Sequence, residues 1–337
     1  MTVTELQKLL RPVEEDDRRK LPTVSYSKLD VLKKCVMQYA QKYKLGKYSN
    51  QQTLALELGT ILHKGLEMKG RMKIDGKKVD YLEITDAVTN GCQEITDKGS
   101  EQMIGLERIS QKYFEDWFNT KEGEASYTEK TNLYLSKVIY DRMEDEDWKV
   151  IAVEKNFEFV YDNRVIIHGF IDRVDQNKDG ELRVVDYKSS KKVFRDEDIK
   201  TPLQMVTYDI ACVFLYGKLP VEHEYDFILL DQKQGPNEGV CSKGYFNRGI
   251  KKLNSLLDKM DSVEKMDEYE PSPTPLCYWC AYPDKTHTPN ADSKYAGSCP
   301  YYSLWKPEKK SFQANEEFVP GKKVENKTEK PKRTLVF

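Results

Sequence analysis

The 337-residue sequence lacks the features of a membrane or secreted protein. No apolar run approaches the roughly 20 residues that a helix needs to span a bilayer. The first residues, MTVTELQKLLRPVEEDDRRK, contain no apolar core of a signal peptide. We therefore expect a soluble, cytoplasmic protein with no membrane partner.

A strong charge of one sign is also missing, because the formal net charge is −2. Bulk charge therefore does not indicate nucleic-acid binding, although a local basic groove would suffice to bind phosphates. The sequence has no Walker A motif, which argues against a helicase motor in this chain. Hydrophobic residues make up 39% and charged residues 33%, so we expect a well-formed core beneath a very polar surface.

Hydrophobic periodicity predicts an α/β fold. Helices are expected from Ser27 to Tyr39 with Cys35 inside, over Leu56–Met68, within 84–143, over 196–216 and over 247–266. Strands are expected at Val150–Tyr161, Val165–Val174, Leu182–Lys188 and Tyr225–Leu230, with turn residues between the first three. The order helix, three-strand meander, helix, strand predicts a central mixed sheet flanked by helices.

The texture of the sequence suggests three regions. We expect a flexible lead over 1–22, one domain over 23–304 and a disordered Lys/Glu-rich tail over 305–337. Within the domain, the expected parts are a helical part over 25–145, a sheet core over 148–232 and a cysteine segment over 270–304.

Two acidic residues and a lysine give the strongest chemical signal. The run Gly169-Phe170-Ile171-Asp172 is followed, after thirteen residues, by Asp186-Tyr187-Lys188. Asp186 and Lys188 are two apart on a predicted strand, so their side chains share one face, and a hairpin brings Asp172 beside them. Carboxylates with water are the ligands that Mg²⁺ prefers, and a metal-bound water can attack a phosphodiester.

The ordinary alternative is a surface hairpin with a solvated ion pair. Both acids, however, lie among apolar strand residues, Ile171 and Val174 in one case and Val184 and Val185 in the other. A buried carboxylate has to be paired or bound to a metal to be tolerated, which favours the functional interpretation.

These motifs resemble the PD-(D/E)XK nucleases, and specifically their RecB/AddB-like exonuclease branch. That branch has a helical histidine, then G-x-I-D, D-Y-K-[ST] and Q-x-x-x-Y. The matching residues are Gly59-Thr60-Ile61-Leu62-His63, Gly169–Asp172, Asp186-Tyr187-Lys188-Ser189, Gln204 and Tyr208. The resemblance spans roughly 25–302, with the catalytic core between His63 and Tyr208.

The resemblance implies a deoxyribonuclease dependent on Mg or Mn. It implies that His63, Asp172 and Asp186 bind the metal and that Asp172, Asp186 and Lys188 are catalytic. It also implies that Gln204 and Tyr208, on one face of the next helix, contact nucleic acid. Without the family order, His63 would be an ordinary helical histidine. Glu154 is a further candidate, because the first strand places it near the site, but it could equally be a strand-edge charge.

The cysteines suggest a second metal site. Seven are present, at positions 35, 92, 212, 241, 277, 280 and 299. Cys277 and Cys280 form a C-x-x-C pair, which suits tetrahedral thiolate sites, and Cys299 follows. In members of the resembling branch, one cysteine from an N-terminal helix and three near the C-terminus hold an iron–sulfur cluster. That resemblance implies a 4Fe-4S cluster on Cys35, Cys277, Cys280 and Cys299.

Two departures from the family keep alternatives open. Val36 stands where proline is usual after the first cysteine, and eighteen residues separate Cys280 from Cys299, more than in the family. This insertion contains His287, so zinc held by Cys277, Cys280, Cys299 and His287 remains an alternative. Unligated buried thiols are the third.

DNA is the expected partner, single-stranded or with free ends, in recombination, repair or replication. A separate helicase is a possible partner. The apolar Leu335-Val336-Phe337 could dock on a sliding clamp or replication protein, or be an inert terminus. Rival functions are a catalytically silent DNA-binding subunit of a helicase–nuclease complex and a restriction-type endonuclease. The complete His63, Asp172, Asp186 and Lys188 set speaks against the silent subunit, and the cysteine pattern speaks against the endonuclease.

Overall fold

The structure is a computed structural model that describes most of the chain up to residue 299. The described residues are 1–48, 54–96, 127–142, 146–190, 192–195, 202–235, 243–273, 277, 280–283 and 294–299. The expectations for 97–126, for 196–201 and for the tail over 305–337 lie outside these residues.

Seven strands of the described residues form one sheet. They are β1 (Leu10–Arg11), β2 (Thr23–Val24), β3 (Trp148–Tyr161), β4 (Val165–Asn177), β5 (Leu182–Lys188), β6 (Glu222–Phe227) and β7 (Gln232–Gln234). Their order is β1-β3-β4-β5-β6-β7, and β2 pairs with β4 outside this path. The β5–β6 and β2–β4 pairs are parallel and the other pairs are antiparallel, so the sheet is mixed, as expected.

The helices cover both faces of this sheet. They are α1 (Val3–Gln7), α2 (Asp17–Lys20), α3 (Tyr26–Lys34), α4 (Val36–Tyr39), α5 (Leu54–Ile74), α6 (Tyr81–Thr96), α7 (Tyr127–Asp141), α8 (Leu203–Tyr216) and α9 (Lys243–Glu264). A π-helical turn at Ala40–Lys44 continues α4, and a 3₁₀ turn at Ile228–Leu230 follows β6. No helix in the described part of the chain is long and apolar enough to cross a bilayer.

The β3–β4–β5 meander forms because alternating apolar residues are joined by tight turns. Asp162 and Asn163 connect β3 to β4 with φ angles of +53° and +50°, the backbone of a primed two-residue hairpin turn. From β5 the chain crosses through α8 and returns as β6 alongside β5, which is the connection that a parallel pair requires.

The sheet separates two hydrophobic cores. One face packs on α1, α3, α8 and α9 through residues such as Phe159, Ile210 and Leu257. The other carries Val185 and Tyr187, which pack against α5, α6 and α7. Successive residues of β5 therefore serve different cores, so Asp186 and Tyr187 point to opposite sides of the sheet.

Buried ion pairs join neighbouring strands behind the predicted catalytic residues. Asp175 is fully buried and accepts hydrogen bonds from Arg173, at 2.7 Å to each oxygen, and from Arg183 at 2.9 and 3.1 Å. Arg173 also donates to the Tyr187 hydroxyl at 3.3 Å. Such charges are tolerated only when fully paired, and here the pairing ties β4 to β5.

The first 22 residues differ from the expected flexible lead. The Thr2 side chain caps α1, Leu6 is fully buried in the main core, and β1 pairs with β3. Arg11 forms a bidentate ion pair with Asp17. These elements were missed because they are four or five residues long or shorter, below the length at which periodicity can be recognised.

Several element boundaries also differ from the sequence-based expectations. Cys35 lies between α3 and α4 rather than inside a helix, and its sulfur accepts from the Gln38 amide as an N-cap. The second helix is longer than expected at both ends, and the expected strand Tyr225–Leu230 is β6 plus a 3₁₀ turn.

Candidate active site

The predicted site residues converge where α5 and α8 approach the central strands. Asp172 lies on β4, Asp186 and Lys188 on β5, and His63 on α5. Gln204 and Tyr208 lie one turn apart on α8. The structure therefore brings together all six residues that the resemblance implied for this site, drawn from four elements.

Two glycines allow this close approach. A Cβ atom at Gly59 would lie 3.4 Å from the Ser189 hydroxyl, so α5 runs directly against the end of β5. At Gly169 a Cβ atom would come within 2.7 Å of the Phe157 ring, which packs beneath β4. The glycines of both motifs thus serve packing, and the acidic residue and histidine beside them are the polar groups of the site.

His63 connects two carboxylates. Its Nδ1 lies 3.2 Å from Glu154 Oε1, and its Nε2 lies 3.8 Å from Asp172 Oδ2. One nitrogen or oxygen atom from each of these three residues falls within 4.8 Å of the others, a spacing at which one cation could bind all three. Glu154, left open by the sequence, therefore belongs to the site.

The backbone of Glu154 is unusual. Its φ angle is +42°, although it is not glycine, and it lies where β3 faces Asp172. A side chain rarely adopts this region, and such strain is found where surrounding structure enforces it, often at functional sites. The sequence carries no signal of this irregularity, since β3 reads as a regular alternating strand.

Asp172 is unfavourably placed as an anion. It is 8% exposed, and its Oδ2 accepts a hydrogen bond of 2.8 Å from the Tyr187 amide. Burial and, next, the negative charge of Asp186 raise the pKa of Asp172 to about 7, despite the opposing charge of His63. Burial lowers the pKa of His63, but the Glu154 hydrogen bond and the charges of Asp172, Glu154 and Asp186 outweigh it and raise it overall.

Asp186 has unused ligand capacity. It is 1% exposed, and neither carboxylate oxygen has a partner in hydrogen-bond geometry, although Oδ2 lies 2.5 Å from Lys188 Nζ. A buried carboxylate without hydrogen bonds is costly unless a cation binds it. The excess of carboxylates over cations thus fits a site for a divalent ion.

A polar chain continues from Lys188 to α8. Lys188 Nζ donates to Gln204 Oε1 at 3.2 Å, and Gln204 Nε2 donates to the Tyr208 hydroxyl at 3.0 Å. The Tyr208 ring is buried against Phe157, and its pKa is raised by burial and by the charges of Asp186 and Asp172. Its hydroxyl, rather than its ring face, is therefore the group directed at the site.

The predicted cluster cysteines also come together, at a separate place. Cys35, Cys277 and Cys280 pack around the buried Cys299, beside Tyr282. Burial is the largest cause that raises the pKa of Cys280 to about 11, and Cys277 and Cys35 add to it. None of the cysteines in the described residues forms a disulfide. His287, the alternative zinc ligand, lies outside the described residues.

The fold and site define a nuclease of mixed α/β architecture. Residues 23–284 match the family model of the PD-(D/E)XK nuclease superfamily, and the chain therefore belongs to this superfamily. The expected family and its mixed sheet are thus confirmed.

Similar proteins include one of the subunits of the ATP-dependent helicase/deoxyribonuclease of Streptococcus pyogenes. The serotype M6 protein (strain ATCC BAA-946 / MGAS10394) is 33% identical over 126 residues, which is 31% of this chain and 12% of that protein. The serotype M12 protein (strain MGAS2096) is 32% identical over 126 residues, with the same shares, and the serotype M1 protein is 31% identical over 110 residues, or 26% and 10%. The matches thus cover about a tenth of the length of these relatives.

Proposed function

We propose that this protein is a metal-dependent DNA exonuclease that hydrolyses phosphodiester bonds. The observation that carries the proposal is the buried Asp186 carboxylate, which lacks hydrogen-bond partners beside Lys188 and the His63–Asp172 pair. A constellation of carboxylates with one lysine, on adjacent strands of a nuclease fold, suits hydrolysis of a phosphodiester. The helicase/deoxyribonuclease relatives support DNA as the substrate.

His63, Asp172 and Asp186 would hold Mg²⁺ or Mn²⁺, with Glu154 near enough to His63 to act as a ligand or to orient the imidazole. When bound, such an ion lowers the pKa of its water and neutralises charge on the phosphate. His63 would present Nε2 to the ion while Glu154 accepts a hydrogen bond from Nδ1, the tautomer that a carboxylate partner favours.

Lys188 has the central role among the groups that are not metal ligands. Its ammonium would hydrogen-bond the attacking water or the phosphate oxygen on which charge develops. Gln204 accepts one hydrogen bond from this ammonium, which limits where the flexible lysine can point. Tyr208 fixes Gln204 from behind and leaves the polar edge of α8 to contact the nucleic acid.

The substrate we favour is DNA that is single-stranded or has free ends, processed in recombination, repair or replication. A restriction-type endonuclease is the alternative within the same fold, and a silent DNA-binding subunit is the alternative without chemistry. The fully assembled site speaks against the silent subunit, since Asp172 and Asp186 would have no evident reason to stay together in a pure binding protein.

We also propose that Cys35, Cys277, Cys280 and Cys299 hold an iron–sulfur cluster of the 4Fe-4S type. Their packing in one cluster, from segments more than 200 residues apart, supports this proposal. Thiolate–metal bonds would join α4 to the C-terminal part of the domain and stabilise the fold directly. Zinc remains the alternative, with His287 as its fourth ligand.

For partners, we propose a separate helicase, on the strength of the relatives' names. The tail that ends in Leu335-Val336-Phe337 is the candidate contact for a sliding clamp or replication protein. A cytoplasmic location remains our expectation for a protein that processes DNA.

Digestion of end-labelled DNA tests the proposed activity. The purified chain is incubated with Mg²⁺ on linear duplex, linear single-stranded and covalently closed circular DNA, each labelled at the 5′ or 3′ end or internally. An exonuclease releases label progressively from linear DNA and leaves circles intact. Cutting of circles would indicate an endonuclease, and binding without cleavage would indicate the silent subunit.

A further inference from the structure

The segment that follows β5 is attached to the edge of the sheet by one side chain. Phe194 lies in this segment, and its amide donates to Gln234 Oε1 at 3.1 Å. The Gln234 side chain, which belongs to β7, in turn donates through Nε2 to the Phe194 carbonyl at 2.8 Å. One glutamine amide thus satisfies both main-chain groups of Phe194, as a neighbouring strand would.

This attachment places the Phe194 ring against two aromatic residues of β6. The ring centroid lies 4.9 Å from that of Tyr225 and 5.3 Å from that of Phe227, with interplanar angles of 88° and 76°. Edge-to-face contacts of this kind favour a defined ring orientation. Tyr225 is itself opposite Asp186 in the β5–β6 register, so this aromatic group is adjacent to the site.

The Lys188 ammonium faces this aromatic group. Its Nζ lies 5.9 Å from the centroid of Phe194 and 5.8 Å from that of Tyr225. Both distances are within the range of cation–π attraction. Lys188 therefore has three kinds of neighbour, namely the Asp186 carboxylate at 2.5 Å, the Gln204 carbonyl oxygen at 3.2 Å and the two rings.

Asp186 cannot serve Lys188 and a divalent ion equally well. A carboxylate that turns its oxygens toward a metal ion loses most of its ion pair with the ammonium. Lysine has a flexible four-carbon stem, so the loss of one partner would let the ammonium wander. Gln204 and the two rings remain as contacts that do not compete for the metal.

We propose that Phe194, locked by Gln234, is a positioning residue that holds the Lys188 ammonium beside the scissile phosphate. Tyr225 supplies the second face of this aromatic clamp. The inference rests on the proposed nuclease function, because it concerns where the lysine is held during the reaction. The clamp leaves Asp186 to the metal and limits the volume that the ammonium samples.

The test compares variants that keep or remove the ring face. Phe194→Leu should lower kcat on DNA about tenfold, the loss expected from one cation–π partner, and change KM by less than about twofold. Phe194→Tyr should restore kcat, because its ring face is retained. Gln234→Leu should behave like Phe194→Leu, because it frees the main chain of the segment. Phe214→Leu and Gln176→Leu are controls, since Phe214 packs against Phe159 and Gln176 holds a turn carbonyl, both away from Lys188.

Two readouts separate positioning from general destabilisation. In a Lys188→Ala background, Phe194→Leu should cause no further loss of cleavage rate, whereas a structural defect would still add its own loss. In ¹³C-lysine-labelled protein, the ε-methylene signal of Lys188, assigned by its loss in Lys188→Arg, should show a ring-current shift. Phe194→Tyr should keep this shift and Phe194→Leu should reduce it.

The outcomes distinguish the clamp from the proposed function. An active wild type whose Phe194→Leu variant cleaves normally, or loses the same factor with and without Lys188, overturns the clamp and leaves the nuclease standing. An unshifted Lys188 signal in the wild type overturns the clamp whether or not the protein cleaves DNA. A shifted signal in a protein that cleaves no substrate supports the clamp geometry and overturns the function.

Discussion

The electrostatic frustration of Asp172 predicts that a site variant is more stable than the wild type when no metal is present. Asn is the substitution of choice at this position, because its Oδ1 can still accept the hydrogen bond from the Tyr187 amide. It removes only the charge, which burial and Asp186 disfavour. We therefore expect Asp172→Asn to raise the melting temperature in EDTA at pH 8.

The sign and size follow from the shifted pKa. The folded protein raises the pKa of Asp172 from 3.8 to about 7, so it holds this proton more tightly than the unfolded chain does. That contribution to stability is complete below pH 4 and is lost as the pH rises toward 7. A difference of about three pH units corresponds to about 4 kcal/mol, and sharing with His63 reduces it to about 2–4 kcal/mol. For a domain of this size, the expected rise in melting temperature is about 5–10 °C.

Thermal unfolding at pH 4.5 and pH 8, with EDTA or with Mg²⁺, measures this prediction. The advantage of Asp172→Asn should appear at pH 8 in EDTA, shrink at pH 4.5, and reverse at pH 8 in saturating Mg²⁺, which stabilises only the wild type. Asp17→Asn is a control of opposite sign, because Arg11 and the Glu14 amide lower the pKa of Asp17 to about 2. It should destabilise at pH 8 and less so as the pH falls below 4. A lower melting temperature for Asp172→Asn at pH 8 in EDTA would refute the reasoning.

Three further predictions concern other parts of the molecule. If a cluster is present, anaerobically purified protein should be brown and contain iron and sulfide, and Cys35→Ala should destabilise it about as much as Cys280→Ala; zinc retained in Cys35→Ala but lost in His287→Ala would contradict this. Glu154→Gln should weaken Mg²⁺ binding about tenfold or more in calorimetry, because it alters the partner of His63; unchanged affinity would show that Glu154 is a bystander. Deletion of 334–337 should leave cleavage of naked DNA unchanged, and loss of folding on that deletion would make the tail structural.

The strands and the acid–lysine motif could be predicted because their signals are local. Alternation in β3 and the Asp162-Asn163 turn specify a hairpin, and spacing alone places Asp186 and Lys188 on one face. The family order then added His63, which no local pattern would have selected. These parts of the fold are encoded in residues that are close together in sequence.

The remaining features depend on contacts between distant segments. The left-handed backbone at Glu154 arises where β3 faces Asp172, and nothing in the sequence of β3 shows it. Gln234 lies 40 residues from Phe194, in a three-residue strand that periodicity cannot detect. The short N-terminal elements were missed for the same reason, since β1 is defined by its pairing with β3 rather than by its own sequence.

The most direct test of the central claim is single-turnover cleavage of end-labelled single-stranded DNA by Lys188→Ala. The matched control is Lys137→Ala, which removes an exposed lysine that is also paired with an aspartate, Asp141. With Mg²⁺ in excess and both variants folded, we expect Lys188→Ala to lose at least about a hundredfold in rate and Lys137→Ala to match the wild type. Wild-type cleavage by Lys188→Ala would contradict the assignment of this site as the catalytic centre.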